Sequence, residues 1–243
     1  KGTDGVWSIF LPDAMYGHLL THGSLYKLHI HGKNGWHDRI PAYATRVVQD
    51  EESKNYTAQF WIPQPFDWGA DAEFDIAKRC TPLLIYETHV GMAQEREGVG
   101  TYAEFERKIL PIVKRDGYNA IQVMAIAEHP YYGSFGYHVS SFFAPSSRFG
   151  TPNELRSLID RAHKMGIAVI MDLVHAHYVK NLNEGINELD GSQHHYSKEG
   201  GAGYQQYWDS KTFDYGKHEV QHFLLSNVKY WMDEFHFDGY RFD

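Results

Sequence analysis

Gly166–His177 reads GIAVIMDLVHAH: apolar residues run without a break from Ile167 to Met171, and polarity returns at Asp172, His175 and His177. A continuous apolar run bounded by glycine is the pattern of a strand covered on both faces. In parallel α/β sheets the end of such a strand delivers side chains to a ligand. The chain on either side repeats a simple alternation. Leu83–Tyr86 predicts a strand closing on Glu87, Thr88 and His89. Thr101–Asp116 predicts a helix with a Thr101/Glu104 capping box, a buried stripe of Phe105, Ile109, Ile112 and Val113, and a stop at Gly117. Ala120–Ile126 is a second strand, followed by a long aromatic loop from Glu128 to Gly150. Thr151–Met165 is a second helix, capped by Thr151 and Glu154 with Pro152 in its first turn, facing inward with Leu155, Leu158, Ile159 and Ala162. The polar, glycine-rich Ala176–Tyr215 is long enough to be functional or a small subdomain. Lys217–Phe235 predicts a third helix with Val220, Phe223, Leu224, Val228, Trp231, Met232 and Phe235 on one face, and Phe237–Asp243 a fourth strand.

Such an alternation predicts a parallel sheet with right-handed crossovers. Two completions fit it: an open doubly wound sheet, or half of an eight-stranded barrel. No G-x-G-x-x-G follows a strand, so dinucleotide binding has no support. Before residue 67 the pattern differs. Val6–Leu11, Ser24–His31, Ala42–Gln49 and Tyr56–Ile62 are short apolar or alternating segments separated by turn-rich pieces, the pattern of part of a β-sandwich. Pro63-Gln64-Pro65 and the polar Asp67–Ala72 mark the boundary. The expected units are therefore residues 1–66 and 67–243.

Composition narrows the ligand more than the fold. Aromatic residues make up 15% of the 243, including 17 Tyr and 6 Trp, a content compatible with stacking on flat rings such as sugars or bases. The formal charge of −8 with no long basic run argues against a nucleic-acid partner and for a neutral ligand. Cys80 is the sole cysteine, so no intrachain disulfide forms, which suits a reducing compartment. No stretch approaches the roughly 20 apolar residues of a membrane span. Lys1–Trp7 lacks the apolar core of a signal peptide. The chain starts without Met and stops at Asp243 in mid-pattern, so a fragment is expected.

Charged residues close three of the four strands. A carboxylate at a strand end is often only a loop cap. Arg241 and Asp243 have a further property: at i and i+2 they share one face of a strand, opposite Tyr240 and Phe242. A cation beside a carboxylate keeps it ionised, as glycoside chemistry requires of a nucleophile. Metal binding is a rival reading, because His175, His177, Asp172 and the His194-His195 pair are plausible ligands. No H-E-x-x-H or paired-cysteine pattern supports it. A retaining glycosidase needs two carboxyl groups about 5–5.5 Å apart. Only the nucleophile candidate is visible here; its partner belongs to a later strand.

These residues carry a resemblance. DLVHAH at the end of a third strand and GYRFD at the end of a fourth look like the α-amylase superfamily of glycoside hydrolases and transglycosidases. AIQVMAIAEHPYYGSFGYHVSSFFAPSSRFGTPNEL, IYETHVGM (Ile85–Met92) and YWDSKTFDY (Tyr207–Tyr215) resemble, more narrowly, glycogen and starch branching enzymes. The resemblance implies a carbohydrate-binding-module-like β-sandwich followed by the first half of a (β/α)8 barrel, truncated after its fourth strand. It implies transfer of an α-1,4-glucan chain to a 6-hydroxyl, giving α-1,6 branches. At matching positions it implies Asp243 as nucleophile and Arg241 as the residue that orients it. Tyr137, Asp172 and His177 would bind the sugar and its neighbours, with Trp208 and His138 as weaker substrate-binding candidates. Tyr131 and Tyr132 either line the cleft or pack beside it. Trp36 and Trp61 are candidate glucan-binding residues of the sandwich, although Trp61 lies in a strand pattern and reads as core. Relatives with structural calcium often have Asn before the final His of the third-strand motif; Ala176 stands here, so no metal and no cofactor is expected. The expected partner is an α-glucan, with no nucleic acid and no membrane, in the cytoplasm or, for a plant chain, the plastid; oligomeric state is not legible. Alternative readings are an α-glucan hydrolase of the α-amylase or debranching type, and a non-catalytic glucan-binding protein. Because four βα strands cannot close an eight-stranded barrel, residues 1–243 expressed alone are expected to be inactive and aggregation-prone. A soluble monomer with sharp cooperative melting would contradict this.

Overall fold

The computed structural model describes residues 8–69 and 74–243. Fourteen strands are present among them. The N-terminal region contributes β1 (Leu25–Tyr26), β2 (Leu28–Gly32), β3 (Gly35–Arg39), β4 (Val47–Gln49) and β5 (Tyr56–Gln59). They form a three-stranded antiparallel sheet in the order β1-β5-β4 and a separate β2–β3 hairpin. Ile40, Ala44, Val47, Tyr56 and Ala58 make its small core. Of the expected first segment, Val6 and Trp7 lie outside the described residues; residues 8–12 form no strand, and Ile9 and Phe10 are exposed. The strands are shorter than the apolar pattern predicts. β5 ends at Gln59, and Trp61 lies beyond it, half-buried, with its ring 4.4 Å from His22. The expected interior strand position of Trp61 is thus corrected: Pro63 follows closely and proline cannot continue a ladder.

The second region is built on β6 (Ile85–Thr88), β7 (Ala120–Val123), β10 (Ala168–Leu173) and β14 (Gly239–Phe242). All pair in parallel, in the order β14-β10-β7-β6. The order follows the chain and never reverses, so the topological switch point of a doubly wound sheet is absent from these four strands. β10 is buried throughout, as its unbroken apolar run requires. Val169, Met171 and Leu173 enter the main core with the helices, whereas Ala168 and Ile170 pack with Cys80 and Ala120 on the opposite face. That second face also carries Asp172. β6 and β14 are the edges of the sheet, and Leu83, Leu84, Ile85 and Phe242 are exposed there.

Three helices cover the main core. Residues 102–115 form the first, with the expected Thr101/Glu104 capping box. Its stripe differs from the one read at strict helical spacing: Leu110 is buried and Ile112 is exposed. The cause is local. Pro111 has no N–H to give, and the turn Phe105–Ile109 widens so that Leu110 N–H reaches Phe105 O. The extra residue rotates the following face. The Pro152–Lys164 helix matches expectation, with both halves of its capping box and a buried Leu155, Leu158, Ile159 and Ala162. The His218–Phe235 helix buries Val220, Phe223, Leu224, Trp231 and Phe235, but Met232 is exposed and Asn227 takes a fully buried place on the inner face.

Two insertions lie at the strand ends that carry the candidate residues. β8 (Ala127–Glu128) and β9 (Ser141–Pro145) pair within the aromatic loop. β11 (His177–Val179), β12 (Tyr204–Gln205) and β13 (Ser210–Thr212) make a small antiparallel sheet, so Ala176–Tyr215 is a subdomain. None of the helices among the described residues is long and apolar enough to cross a membrane. Thr151→Ala removes one side of a complete capping box and is expected to lower stability by about 1 kcal/mol, measured as a shift of the urea midpoint with unchanged slope.

Candidate active site

The register of β10 against β14 sets Asp172 beside Arg241 and Leu173 beside Phe242. Asp243 continues the ladder, its N–H donating to Leu173 O at 2.9 Å. Arg241 and Asp243 therefore project to the face that Asp172 occupies. Arg241 Nη1 donates to both carboxylate oxygens of Asp172, at 2.9 and 3.1 Å, and to Asp243 Oδ1 at 2.5 Å. From the loop between β8 and β9, Tyr137 OH donates to Asp172 Oδ2 at 2.7 Å. Asp172 is wholly buried, so its charge depends on these two donors. The Arg241 guanidinium is held above its usual pKa, first by the bond to Asp172 and further by Asp243. Burial, and then the bond to Asp172, raises the Tyr137 phenol, which stays protonated as the donor.

His177 completes one wall from β11. Burial, and next the neighbouring His138, lowers its pKa against the opposing pull of Asp243, so the ring is neutral at pH 7. The half-exposed Trp208 ring lies 5.1 Å from it and His138 at 6.2 Å. The structure thus brings Tyr137, Asp172, Arg241 and Asp243 into direct contact, with His177, Trp208 and His138 at one side. Tyr131 stands exposed at the rim; Tyr132 packs against His89 and Arg148.

The histidines weighed as metal ligands separate. His175 turns away, its Nε2 meeting Asn227 Oδ1 at 2.8 Å while Asn227 Nδ2 donates to Phe142 O at 2.8 Å. His195 faces Asp190, and the Lys217 ammonium donates to the His194 carbonyl. Among the described residues no group of three His, Cys, Asp or Glu side chains is placed to hold a metal ion. Sequence reasoning missed Asn227, although its i+7 spacing from Val220 puts a polar residue on an otherwise apolar face. It also missed Asp238, which accepts from Val169 N at 2.7 Å and lies 2.9 Å from His163 Nε2 at the other end of β10. Glu128 is fully buried and accepts from Ser146 and Ser147.

Comparison with known proteins gives the same direction. The α-amylase catalytic domain matches residues 94–198. A 1,4-α-glucan-branching enzyme of Dictyostelium discoideum is 48% identical over 98% of this chain and 35% of its own length. Over nearly its whole length the chain is similar to 1,4-α-glucan-branching enzymes. One from Yarrowia lipolytica is 48% identical over 98% of this chain and 35% of its own length. The chloroplastic/amyloplastic branching enzyme 2-2 of Arabidopsis thaliana is 48% identical over 98% of this chain and 30% of its own length. The chain spans about a third of the length of these relatives. In fold, it matches the crystal structure of an α-amylase candidate from Salmonella typhimurium, with a TM-score of 0.74 at 24% identity over 92% of this chain and 35% of that one.

Two buried histidines have a consequence for stability. Burial first, then the neighbouring His129 and Arg148, depresses His89 to about 4; burial likewise depresses His129 to about 4. Both nitrogens of the His89 ring are buried without a partner among the described residues. A histidine whose folded pKa is depressed favours the neutral form, so its stabilising contribution is complete above the unfolded pKa of about 6.5 and is lost as pH falls towards about 4. The urea midpoint is expected to fall through that window; a midpoint independent of pH there would refute the assignment.

Proposed function

We propose that this chain carries part of the catalytic machinery of a glucan-branching transglycosidase. The observation that carries the reading is the Arg241 guanidinium bonded to both Asp172 and Asp243, beside the Tyr137 phenol. The Asp243 carboxylate is partly exposed and held by the Arg241 guanidinium at 2.5 Å, which orients it for attack. Asp243 attacks the anomeric carbon of an α-1,4-linked glucose while a carboxylic acid protonates the leaving oxygen. The glucosyl-enzyme ester is then displaced by a 6-hydroxyl of an acceptor chain, giving an α-1,6 branch with retention. That acid, and a further carboxylate that stabilises the transition state, belong to strands other than the four described. Asp172 and Arg241 hold the nucleophile in place. Tyr137 offers a ring face to the sugar at the cleavage point, and neutral His177 offers a donor to its hydroxyls, with Trp208 and His138 along the same wall.

The reading extends to organisation. Residues 67–243 act as the first half of a (β/α)8 barrel, supported by four parallel strands added in chain order. Residues 1–66 act as a carbohydrate-binding sandwich of which five short strands are described. The exposed Trp36, stacked on His29 at 4.6 Å, is a fitting sugar platform there. The substrate is an α-1,4-glucan, and the compartment that of soluble glucan metabolism, cytoplasm or plastid.

Amylose incubated with the intact protein distinguishes branching from hydrolysis. Branching lowers iodine staining with little gain in reducing ends, and a large gain would sink the reading in favour of an α-glucan hydrolase. Asp243→Asn is expected to reduce turnover by roughly 10⁴-fold or more, as loss of a covalent nucleophile does elsewhere, with glucan binding retained. Unchanged turnover would reject Asp243 as nucleophile.

A further inference from the structure

A half-open cleft of about 290 Å³ lies between β4–β5 and the turn that follows β9, lined by Arg46, Gln49, Tyr56, Glu128, Ser147 and Arg148. It shares no residue with the candidate active site. Two guanidiniums line it; Arg46 lies over the Trp61 ring and Arg148 over the Tyr132 ring, and among the described residues neither forms an ion pair. Arg46 is only 7% exposed. Its Nη1 donates to Gly150 O at 2.7 Å, and its Nε is buried with no hydrogen-bond partner among the described residues. Arg148 Nη1 meets His129 Nε2 at 3.1 Å and His129 O at 3.3 Å, and its Nη2 donates to Tyr56 OH at 2.9 Å and Pro130 O at 3.4 Å. All of these acceptors are neutral.

Carboxylates are close but engaged elsewhere. The Glu128 oxygens accept from His129 N, Ser146 Oγ, Ser147 N and Ser147 Oγ at 2.8–3.2 Å. Glu154 Oε2 accepts from Thr151 N at 2.7 Å and from its hydroxyl at 2.9 Å, in the helix cap. Glu128 and Glu154 act on Arg46 only through space; a buried guanidinium with no carboxylate in direct contact is costly, and its planar fork matches a phosphate. Hydroxyls and amides take the glutamate lone pairs, and both guanidiniums line the cleft.

We propose that this cleft is a binding site for a phosphate group, held between Arg46 and Arg148, on a small molecule no larger than a sugar phosphate. Gln49, whose Nε2 donates one hydrogen to Lys54 O, has a second one for a remaining oxygen. The inference is independent of the glucan-branching reading and stands or falls without it. Because β4 and β5 form one wall and the loop after β9 the other, an occupied site joins the N-terminal sheet to the α-amylase-type domain.

The test is calorimetric titration of the intact protein at constant ionic strength with inorganic phosphate, a hexose 6-phosphate and the neutral hexose. Both phosphates are expected to bind and the neutral hexose not to. Tighter binding of the hexose phosphate makes the sugar ester the source; equal or weaker binding makes it free phosphate. Arg46→Met and the charge-conserving Arg46→Lys are each expected to weaken binding by about tenfold or more, since a charge-assisted hydrogen bond is lost. Arg46→Lys keeps the charge, so an unchanged melting profile separates lost binding from lost folding. Absence of binding by either phosphate at millimolar concentration overturns the proposal. So do full affinity in a folded Arg46→Met variant and equal binding of the neutral hexose.

Discussion

One guanidinium organises the end of this sheet. Arg241 spans Asp172 and Asp243, and the arrangement is possible only because β10 and β14 run parallel in a register that puts residue 172 level with 241. A shift by one residue would turn Arg241 and Asp243 into the helix layer and bring Tyr240 and Phe242 to the polar face. Tyr240 opposes such a shift from the other side: its hydroxyl donates to Val228 O at 2.6 Å on the His218–Phe235 helix. The charge cluster and the apolar packing therefore specify the same register.

Cost and function meet at Asp172. A wholly buried carboxylate is unfavourable unless paired. Here one guanidinium and one phenol satisfy it, and both donors come from segments far apart in sequence. The sheet alone cannot supply Tyr137; the excursion through β8 and β9 brings it back over the strand ends. The buried Glu128, pinned by Ser146 and Ser147, holds the base of that excursion. Polar atoms beneath the loop thus position a polar atom at its tip.

Legibility in the sequence followed physical scale. β10 and the Pro152–Lys164 helix were readable because long periodic runs and a complete capping box each point one way. The face shared by Arg241 and Asp243 was readable from strand alternation alone, and the pairing of both with Asp172 was not, because register between strands is a tertiary property. The stripe around Ile112 failed for a covalent reason, the missing N–H of Pro111, which shifts helical phase where residue counting assumes it constant. His175 lies between the candidate residues Asp172 and His177 in the chain yet turns to the helix layer, where it meets Asn227. The choice between barrel and doubly wound order needed the strand order itself. The paired motifs at the ends of β10 and β14 carried the family resemblance, which periodicity could not have given.

The Asn227 amide also decouples two parts of the molecule. It clamps His175 and the Phe142 carbonyl together, and Tyr215 OH donates to the His175 carbonyl at 2.8 Å. The chain thus leaves the domain at residue 175 and returns at 215 through points anchored to one another, with β11 and β13 zipped just above them. Everything between is a closed loop on a fixed base. A change of length between these anchors is absorbed by the loop rather than passed to the strands below.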